Sequence, residues 1–130
     1  MAPKDEIPQG GPEGAKACLH RSLIETLPEP YAEQDLAGRI VYYNQAYRQE
    51  MGYSDEELPG LSYQAFMDRE NAEKAFALYH QVFRTGRPAR SSDLVSINKQ
   101  GDIKNYEVTV SLIRDDLGRP CGFSSLYHDI

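Results

Sequence analysis

The spacing of hydrophobic residues changes three times along the chain, and each change predicts a different element. Residues 1–14 hold three prolines, three glycines and almost no apolar side chain, which predicts a flexible lead-in. From residue 15 to residue 27 the apolar positions recur at steps of three and four, which predicts an amphipathic helix ended by Pro28 and Pro30. Its stripe consists of Ala15, Cys18, Leu19, Leu23 and Leu27.

Aromatic and β-branched residues then predict a hairpin. The expected strands are residues 31–36 and 39–43, joined by a tight turn at Gly38. Asn44 follows and is a good N-cap, so a short helix is expected from there to Gly52. Residues 54–57 form a capping box that opens one further turn, and residues 62–67 predict a brief helical piece.

The longest helix is predicted to begin at Asp68 or Asn71 and to stop at Thr85-Gly86. Six apolar positions in it follow the i, i+3, i+4, i+7 pattern of one helix face. They are Ala72, Ala75, Phe76, Tyr79, Val82 and Phe83.

The last third of the chain alternates apolar and polar residues, which is typical of half-buried antiparallel strands. The expected strands are residues 94–98, 106–113 and 121–127, joined by glycine-containing connections at 99–102 and 115–119. The order β-β, helices, β-β-β predicts an α+β fold in which helices cover one face of an antiparallel sheet. A cavity or a packed core would lie between the two layers.

Four stretches, in this order and spacing, resemble the PAS sensory domains. They are residues 35–46 (DLAGRIVYYNQA), 52–60 (GYSDEELPG), 98–102 (NKQGD) and 113–123 (IRDDLGRPCGF), the last followed by a terminal HDI. The resemblance implies a five-stranded antiparallel sheet in the order 2-1-5-4-3, with short helices and one long helix on one face. We therefore divide the chain into a lead-in (1–14), an N-terminal amphipathic helix (15–28) and a PAS domain (29–130).

The resemblance implies a sensory or regulatory domain of a bacterial-type signal-transduction protein, such as a histidine kinase of a two-component phosphorelay or a transcription regulator. In that family the last strand ends in Asp-Ile-Thr or Asp-Ile-Ser and passes the signal to an effector. Asp129 and Ile130 are therefore the expected signal-coupling residues, with the effector beyond them. Two alternatives stay open: a ligand-free dimerisation or relay module, and a small enzyme.

PAS domains hold ligands between the helix layer and the sheet. Polar residues at inward or edge positions, such as Ser62, Asn98 and Ser125, favour a small-molecule ligand, whereas aromatics at helical spacing also fit a filled core. The candidate pocket residues are Tyr47, Met51, Ser62, Tyr63, Phe66, Phe76, Tyr79, His80, Val95, Ile97, Val108, Val110, Phe123 and Ser125.

The resemblance leaves the cofactor unknown. Light-sensing members need a cysteine for a covalent flavin adduct, and in the corresponding run 60–65 (GLSYQA) Tyr63 replaces it, which excludes that adduct. The lack of tryptophan disfavours a non-covalently bound flavin. Haem is disfavoured because the family's histidine ligand falls near Ala75 rather than at His80. No metal site is expected at Cys18-Leu19-His20, which lacks further ligands nearby.

No sequence pattern for catalysis is present: the chain has no phosphate loop, no H-E-x-x-H and no supported Ser/His/Asp order. We therefore expect a non-enzymatic domain.

Charge and composition narrow the class of partner. The 130 residues carry 14 basic and 20 acidic side chains. Residues 1–57 contain 11 of the acidic side chains but only 5 of the basic ones. A net charge of −6 disfavours nucleic acid and anionic membranes as partners. No apolar run approaches the ~20 residues that span a bilayer, and no signal peptide is evident. With two unpaired cysteines, a cytoplasmic domain is expected.

The stripe of the first helix is too narrow to form a core of its own. Leu19, Leu23 and Leu27 would pack on the domain's own sheet or against a second copy. We expect a homodimer formed through this helix.

Overall fold

The computed structural model describes residue 19 and residues 21–130, and residues 21–26 are helical (α1). The following elements are β1 (Tyr31–Gln34), β2 (Ile40–Tyr43), α2 (Gln45–Met51), a 3₁₀ helix (Tyr63–Phe66), α3 (Arg69–Thr85), β3 (Ala89–Ile97), β4 (Ile103–Arg114) and β5 (Pro120–Asp129). The predicted lead-in (1–14) and the first residues of the predicted helix 15–28 lie outside the described residues.

The five strands form one antiparallel sheet in the order β2-β1-β5-β4-β3, which confirms the predicted topology. Strand β5 is central and pairs with both β1 and β4. Because side chains alternate along a strand, β4 buries Tyr106, Val108 and Val110 against the helices. The core therefore lies between this sheet face and the helix layer.

Three strand connections use the same turn. In each, the side-chain Oδ1 of the first residue accepts the backbone N–H of the fifth, at 2.8–2.9 Å. The fourth residue is a glycine with φ between 82° and 92°, a conformation that costs a side chain free energy. The first residues of the turns are Asp35, Asn98 and Asp115.

Helix α3 begins after Asp68, whose carboxylate accepts the N–H of Asn71 at 2.9 Å, and ends at Gly86 with φ 72°. Its buried residues are Asn71, Ala75, Leu78, Tyr79 and Val82. The predicted apolar stripe also includes Phe76 and Phe83, but these two rings are 62% and 48% exposed. The apolar side of α3 is wider than the part of it that β3 and β4 cover, so these two rings lie at its uncovered edge.

Strand β3 begins at Ala89, five residues before the predicted start. The prediction that Val95 and Ile97 face the helices was wrong by one residue. Leu94 and Ser96 are buried on the helix side, so Val95 and Ile97 lie on the opposite face of the sheet. The pairing with β4 is irregular between Ser91 and Leu94, where β3 has one extra residue. This irregularity changes which residues of β3 face the helices. The Ser96 hydroxyl donates to a backbone carbonyl at 3.4 Å, which makes its burial tolerable.

Asn44 is the N-cap of α2, as predicted, and also connects three other segments. Its Oδ1 accepts the N–H groups of Tyr47 at 2.9 Å and Tyr31 at 3.0 Å. Its Nδ2 donates to the carbonyls of Ile24 and Glu29, both at 3.0 Å. This fully buried amide thereby joins α1, β1 and α2.

Residues 60–63 run along the outer edge of β2 and cover it. The Ile40 N–H donates to the carbonyl of Leu61 at 2.8 Å, and the Tyr63 N–H donates to that of Gly38 at 3.1 Å. The Tyr63 ring therefore lies against Gly38, where an added Cβ would stand 2.7 Å from ring carbons. The close approach of backbone and ring requires glycine at position 38.

Gly38→Ala should destabilise the domain more than Gly118→Ala, although both positions belong to the same turn type. At Gly118 an added Cβ meets nothing within 4 Å, so only the positive φ opposes it, at about 1–2 kcal/mol. At Gly38 the contact with Tyr63 adds about 1 kcal/mol or more. Urea unfolding of both variants tests this, and equal losses would contradict it.

Candidate functional site

An open cleft of about 260 Å³ lies between α3 and the β1–β2 turn. Four elements meet there: α3, the 3₁₀ helix, β5 and the turn itself. The lining residues are Leu36, Ala37, Gly38, Tyr63, Phe76, Tyr79, His80, Phe83 and Phe123. Since Tyr79 and Phe123 are buried whereas Phe76 and Phe83 are largely exposed, the cleft is closed at its base and open to solvent above.

The aromatic rings of the lining contact one another. The Tyr79 ring packs against Tyr63, with centroids 5.1 Å apart, and against Phe123, with centroids 5.0 Å apart. The Phe76 and His80 rings are parallel within 5°, with centroids 6.1 Å apart. Such pairs stabilise ring positions by about 0.5–1.5 kcal/mol, so the cleft has a preformed aromatic base.

A buried hydrogen-bond relay leads from the base of the cleft into the sheet. The Ser125 hydroxyl of β5 donates to Gln34 Oε1 of β1 at 3.1 Å. Its oxygen is then free to accept from the Tyr79 hydroxyl, 3.3 Å away. Burial raises the pKa of Tyr79 well above 10, so the phenol remains a neutral donor. The relay joins α3, β5 and β1.

A second aromatic group fills the core beside the cleft. The Tyr47 ring contacts Phe66 and Tyr127, with centroids 5.9 and 5.6 Å apart. Tyr106 packs against Tyr127 with centroids 5.4 Å apart. Burial raises the pKa of Tyr47 and of Tyr127, so both rings are uncharged. This group is a filled core.

The far end of β5 is held by ion pairs. Lys104 Nζ of β4 lies 3.2 Å from Asp129 Oδ2 and 2.6 Å from Glu50 Oε1 on α2. The Tyr106 hydroxyl donates to the same Glu50 oxygen. Hydrogen bonds from Lys104 and Tyr106 lower the pKa of Glu50, and those to Glu50 and Asp129 raise the pKa of Lys104. Asp129 is thus connected to the helix layer.

His128 makes a separate contact on the opposite side of β5. His128 is adjacent to Asp129 in β5, and because side chains alternate along a strand the two point to opposite faces of the sheet. The His128 ring bonds the Glu29 carboxylate, which precedes β1. This hydrogen bond raises the pKa of His128.

The structure separates the predicted pocket residues into distinct places. Tyr63, Phe76, Tyr79, His80 and Phe123 line the cleft. Tyr47, Met51, Phe66, Val108 and Val110 are buried in the core with Ser125, which bonds Tyr79. Val95 and Ile97 lie on the other sheet face, Ser62 caps the 3₁₀ helix, and Asn98 closes a turn.

Four lining residues were missed by sequence reasoning: Leu36, Ala37, Gly38 and Phe83. Leu36 was predicted to end the first strand, whereas β1 ends at Gln34 and Leu36 lies in the β1–β2 turn with 47% of its surface exposed. Phe83 stands seven residues after Phe76, on the same side of α3.

A sequence model of the PAS family, described as the PAS fold, matches residues 19–130. The chain belongs to the PAS family. PAS domains are sensory modules, and this match agrees with the strand order and the helix layer described above. A search among curated proteins finds no match.

Several solved PAS structures share the backbone of this domain. The PAS domain of a Colwellia psychrerythraea protein is 16% identical over 88% of this chain and 97% of its own, with a TM-score of 0.80. A domain of a sensory box sensor histidine kinase/response regulator from Geobacter sulfurreducens is 19% identical over 88% and 94%, with a TM-score of 0.73. The PAS domain of an HTR-like protein from Haloarcula marismortui is 21% identical over 89% and 93%, with a TM-score of 0.70.

Within residues 19 and 21–130, no helix is both long and apolar enough to cross a lipid bilayer. The same part of the chain contains no group of three or more His, Cys, Asp or Glu side chains placed to hold a metal ion.

Helix α1 contacts the sheet with its polar side. The Arg21 guanidinium lies 4.3 Å above the Tyr42 ring centroid, and the Tyr42 hydroxyl donates to Glu25 at 2.7 Å. The apolar stripe is left exposed, with Leu23 63% accessible and Leu19 and Leu27 also exposed. Packing on the domain's own sheet therefore does not cover these leucines.

Glu29→Gln should lower the pKa of His128 toward its ordinary value of about 6.5, because the carboxylate that stabilises the imidazolium is lost. The raised pKa means that the pair stabilises the fold fully below pH 6.5 and that this contribution disappears as pH rises through the folded-state pKa. An NMR pH titration of the His128 ring measures the shift, with Glu56→Gln as control. An unchanged His128 pKa in Glu29→Gln would contradict the assignment.

Proposed function

We propose that this PAS domain senses a small molecule in the cleft and relays its binding to an effector that follows Ile130 in a cytoplasmic parent protein. The effector would be a histidine kinase or a transcription regulator, and the PAS domain itself does no catalysis. The similarity to a domain from a Geobacter sulfurreducens sensor histidine kinase supports this class of parent. The observation that supports the proposal is that one strand, β5, contributes Phe123 to the cleft lining and ends at Asp129. Asp129 and Ile130 are the proposed junction with the effector.

The same face of β5 runs from the cleft to Asp129. Phe123 lies in the cleft lining, Ser125 bonds Tyr79, and Asp129 lies at the end of the strand. Six residues of strand separate Phe123 from Asp129, a distance of about 20 Å. A ligand that displaces the Tyr79 or Phe123 ring therefore acts on the strand that carries the junction.

The junction is weak enough to rearrange. The Lys104 and Asp129 side chains are about half exposed, and an exposed ion pair contributes only about 0–1 kcal/mol to stability. A ligand shifts an equilibrium only by its difference in affinity for the two states. A modest difference in affinity between the two states would therefore be enough to shift the Lys104–Asp129 pair.

Asp129→Asn in the parent protein should abolish the ligand-dependent change in effector output and leave the domain folded. The expected loss of unfolding free energy is within about 1 kcal/mol, because the side chains of Lys104 and Asp129 are about half exposed to solvent. Asp116→Asn is the matched control, since Asp116 is an exposed carboxylate in the β4–β5 turn. Effector assays and urea unfolding are compared in parallel, and unchanged output in Asp129→Asn refutes the coupling.

The exposed stripe of α1 favours a second candidate function, a relay that works as a homodimer without a ligand. Leu23 lies in α1, and Leu19 and Leu27 stand four residues before and after it, a spacing typical of one side of a helix. Arg21 and Glu25, on another side, already contact Tyr42. The leucine side is thus the one available to the same stripe of a second copy.

Leu23→Asp should convert a wild-type dimer into a monomer, because the carboxylate would be buried in the apolar contact. Leu117→Asp is the matched control, since Leu117 is a 76% exposed leucine in the β4–β5 turn and should leave the dimer intact. Sedimentation velocity measures the mass of each variant. A monomeric wild type, or a dimeric Leu23→Asp, rules out this interface.

A further inference from the structure

We infer that the cleft takes a neutral, planar aromatic molecule of one or two fused rings that carries a single polar group. This inference rests on the proposed sensory function and narrows it to a class of ligand. Three properties of the lining support this inference: its charge, the geometry of its rings and its size.

The lining favours an uncharged ligand. Among the described residues, it includes no aspartate, glutamate, lysine or arginine. Transfer of an ionised carboxylate or ammonium from water into apolar surroundings is strongly unfavourable unless an opposite charge pairs with it. At the base of the cleft the Tyr79 phenol is neutral, and its hydroxyl is engaged with Ser125. A ligand that reaches this base must therefore be uncharged there.

The ring geometry favours a flat ligand. Six of the nine lining residues are aromatic, and they come from α3, the 3₁₀ helix and β5. Aromatic rings attract one another in edge-to-face and offset-stacked arrangements, beyond the free energy of apolar burial. The Phe76 and His80 rings are parallel within 5°, whereas the Tyr79 and Phe123 rings are tilted by 46° to each other. A planar aromatic molecule can stack on a ring of the first pair and meet a ring of the second pair edge to face.

The size and exposure of the cleft limit the ligand further. A volume of about 260 Å³ is just below the ~300–1,000 Å³ that drug-sized ligands usually occupy, so one or two fused rings are appropriate. Phe76, Phe83 and Leu36 expose apolar surface around one opening, and a ligand seated there would remove it from water.

The polar groups of the lining allow one further contact. Tyr63 and His80 are the polar side chains besides Tyr79, whose hydroxyl already bonds Ser125. A phenolic hydroxyl on the ligand can donate to or accept from either group. The simplest probe that meets all these conditions is 2-naphthol.

Isothermal titration calorimetry of the whole chain with three probes tests the ligand class. 2-Naphthol should bind with one molecule per domain. 2-Naphthoate has the same rings with a charge, and decahydro-2-naphthol has the same carbon skeleton without aromatic planarity. Both should bind at least tenfold more weakly than 2-naphthol. Equal binding of naphthoate overturns the inference of neutrality, and equal binding of the saturated alcohol overturns that of aromaticity.

Two variants test the position of the site. Phe76→Ala should weaken 2-naphthol binding at least tenfold, and because Phe76 is largely exposed the variant should remain folded, which circular dichroism checks. Ile103→Ala removes a 69% exposed side chain on the opposite sheet face and should change the affinity less than twofold. Equal affinities of the two variants would place 2-naphthol outside the cleft and overturn the inference.

Failure of this inference is distinct from failure of the proposed function. If 2-naphthol does not bind while Asp129→Asn still uncouples the effector, the ligand class is wrong and the sensory proposal stands. If neither effect is observed, both fail. If Phe76→Ala instead dissociates an oligomer, as sedimentation would show, the cleft is a protein interface and the inference is overturned.

Discussion

Strand β5 is hydrogen-bonded along both edges, to β1 and to β4, and this double pairing fixes which of its side chains face the helices. A slip of one residue would turn every side chain to the other face, so the register tolerates no small error. Phe123, Ser125 and Asp129 therefore share one face by necessity. The cleft, the hydrogen-bond relay and the proposed junction at Asp129 all depend on this register, because each takes one residue from the strand.

The parts of the fold that the sequence predicts well are those determined by local physics. The glycine turns, the caps at Asn44 and Asp68 and the alternation of β4 each depend on a few neighbouring residues, and all are present. The prediction of which β3 residues face the helices was wrong, because a polar residue, Ser96, is buried and Val95 is not. A hydroxyl satisfied by a distant carbonyl and an irregular pairing decide that phase, and neither is visible in the local pattern.

Only some of the residues that line the cleft could be predicted from the sequence, for a similar reason. The position of Tyr79 on the long helix followed from helical periodicity. The opposite wall depends on how closely the β1–β2 turn approaches the 3₁₀ helix, which is a tertiary contact between Gly38 and Tyr63. Periodicity placed Phe76 and Phe83 on the apolar stripe, but it does not show which edge of the stripe the sheet covers. The exposed edge of that stripe is what forms the opening of the cleft.

The two ends of β5 differ in how firmly they are held, and this difference gives a direction to the proposed signal. At the cleft, Tyr79, Ser125 and Gln34 are buried, and breaking a buried hydrogen bond costs about 1–3 kcal/mol. At the proposed junction, Lys104 and Asp129 are each about half exposed and form an ion pair that contributes about 0–1 kcal/mol. A strain imposed on the strand is relieved where the bonds are weakest. Binding at the rigid end should therefore be expressed as rearrangement at the Asp129 end.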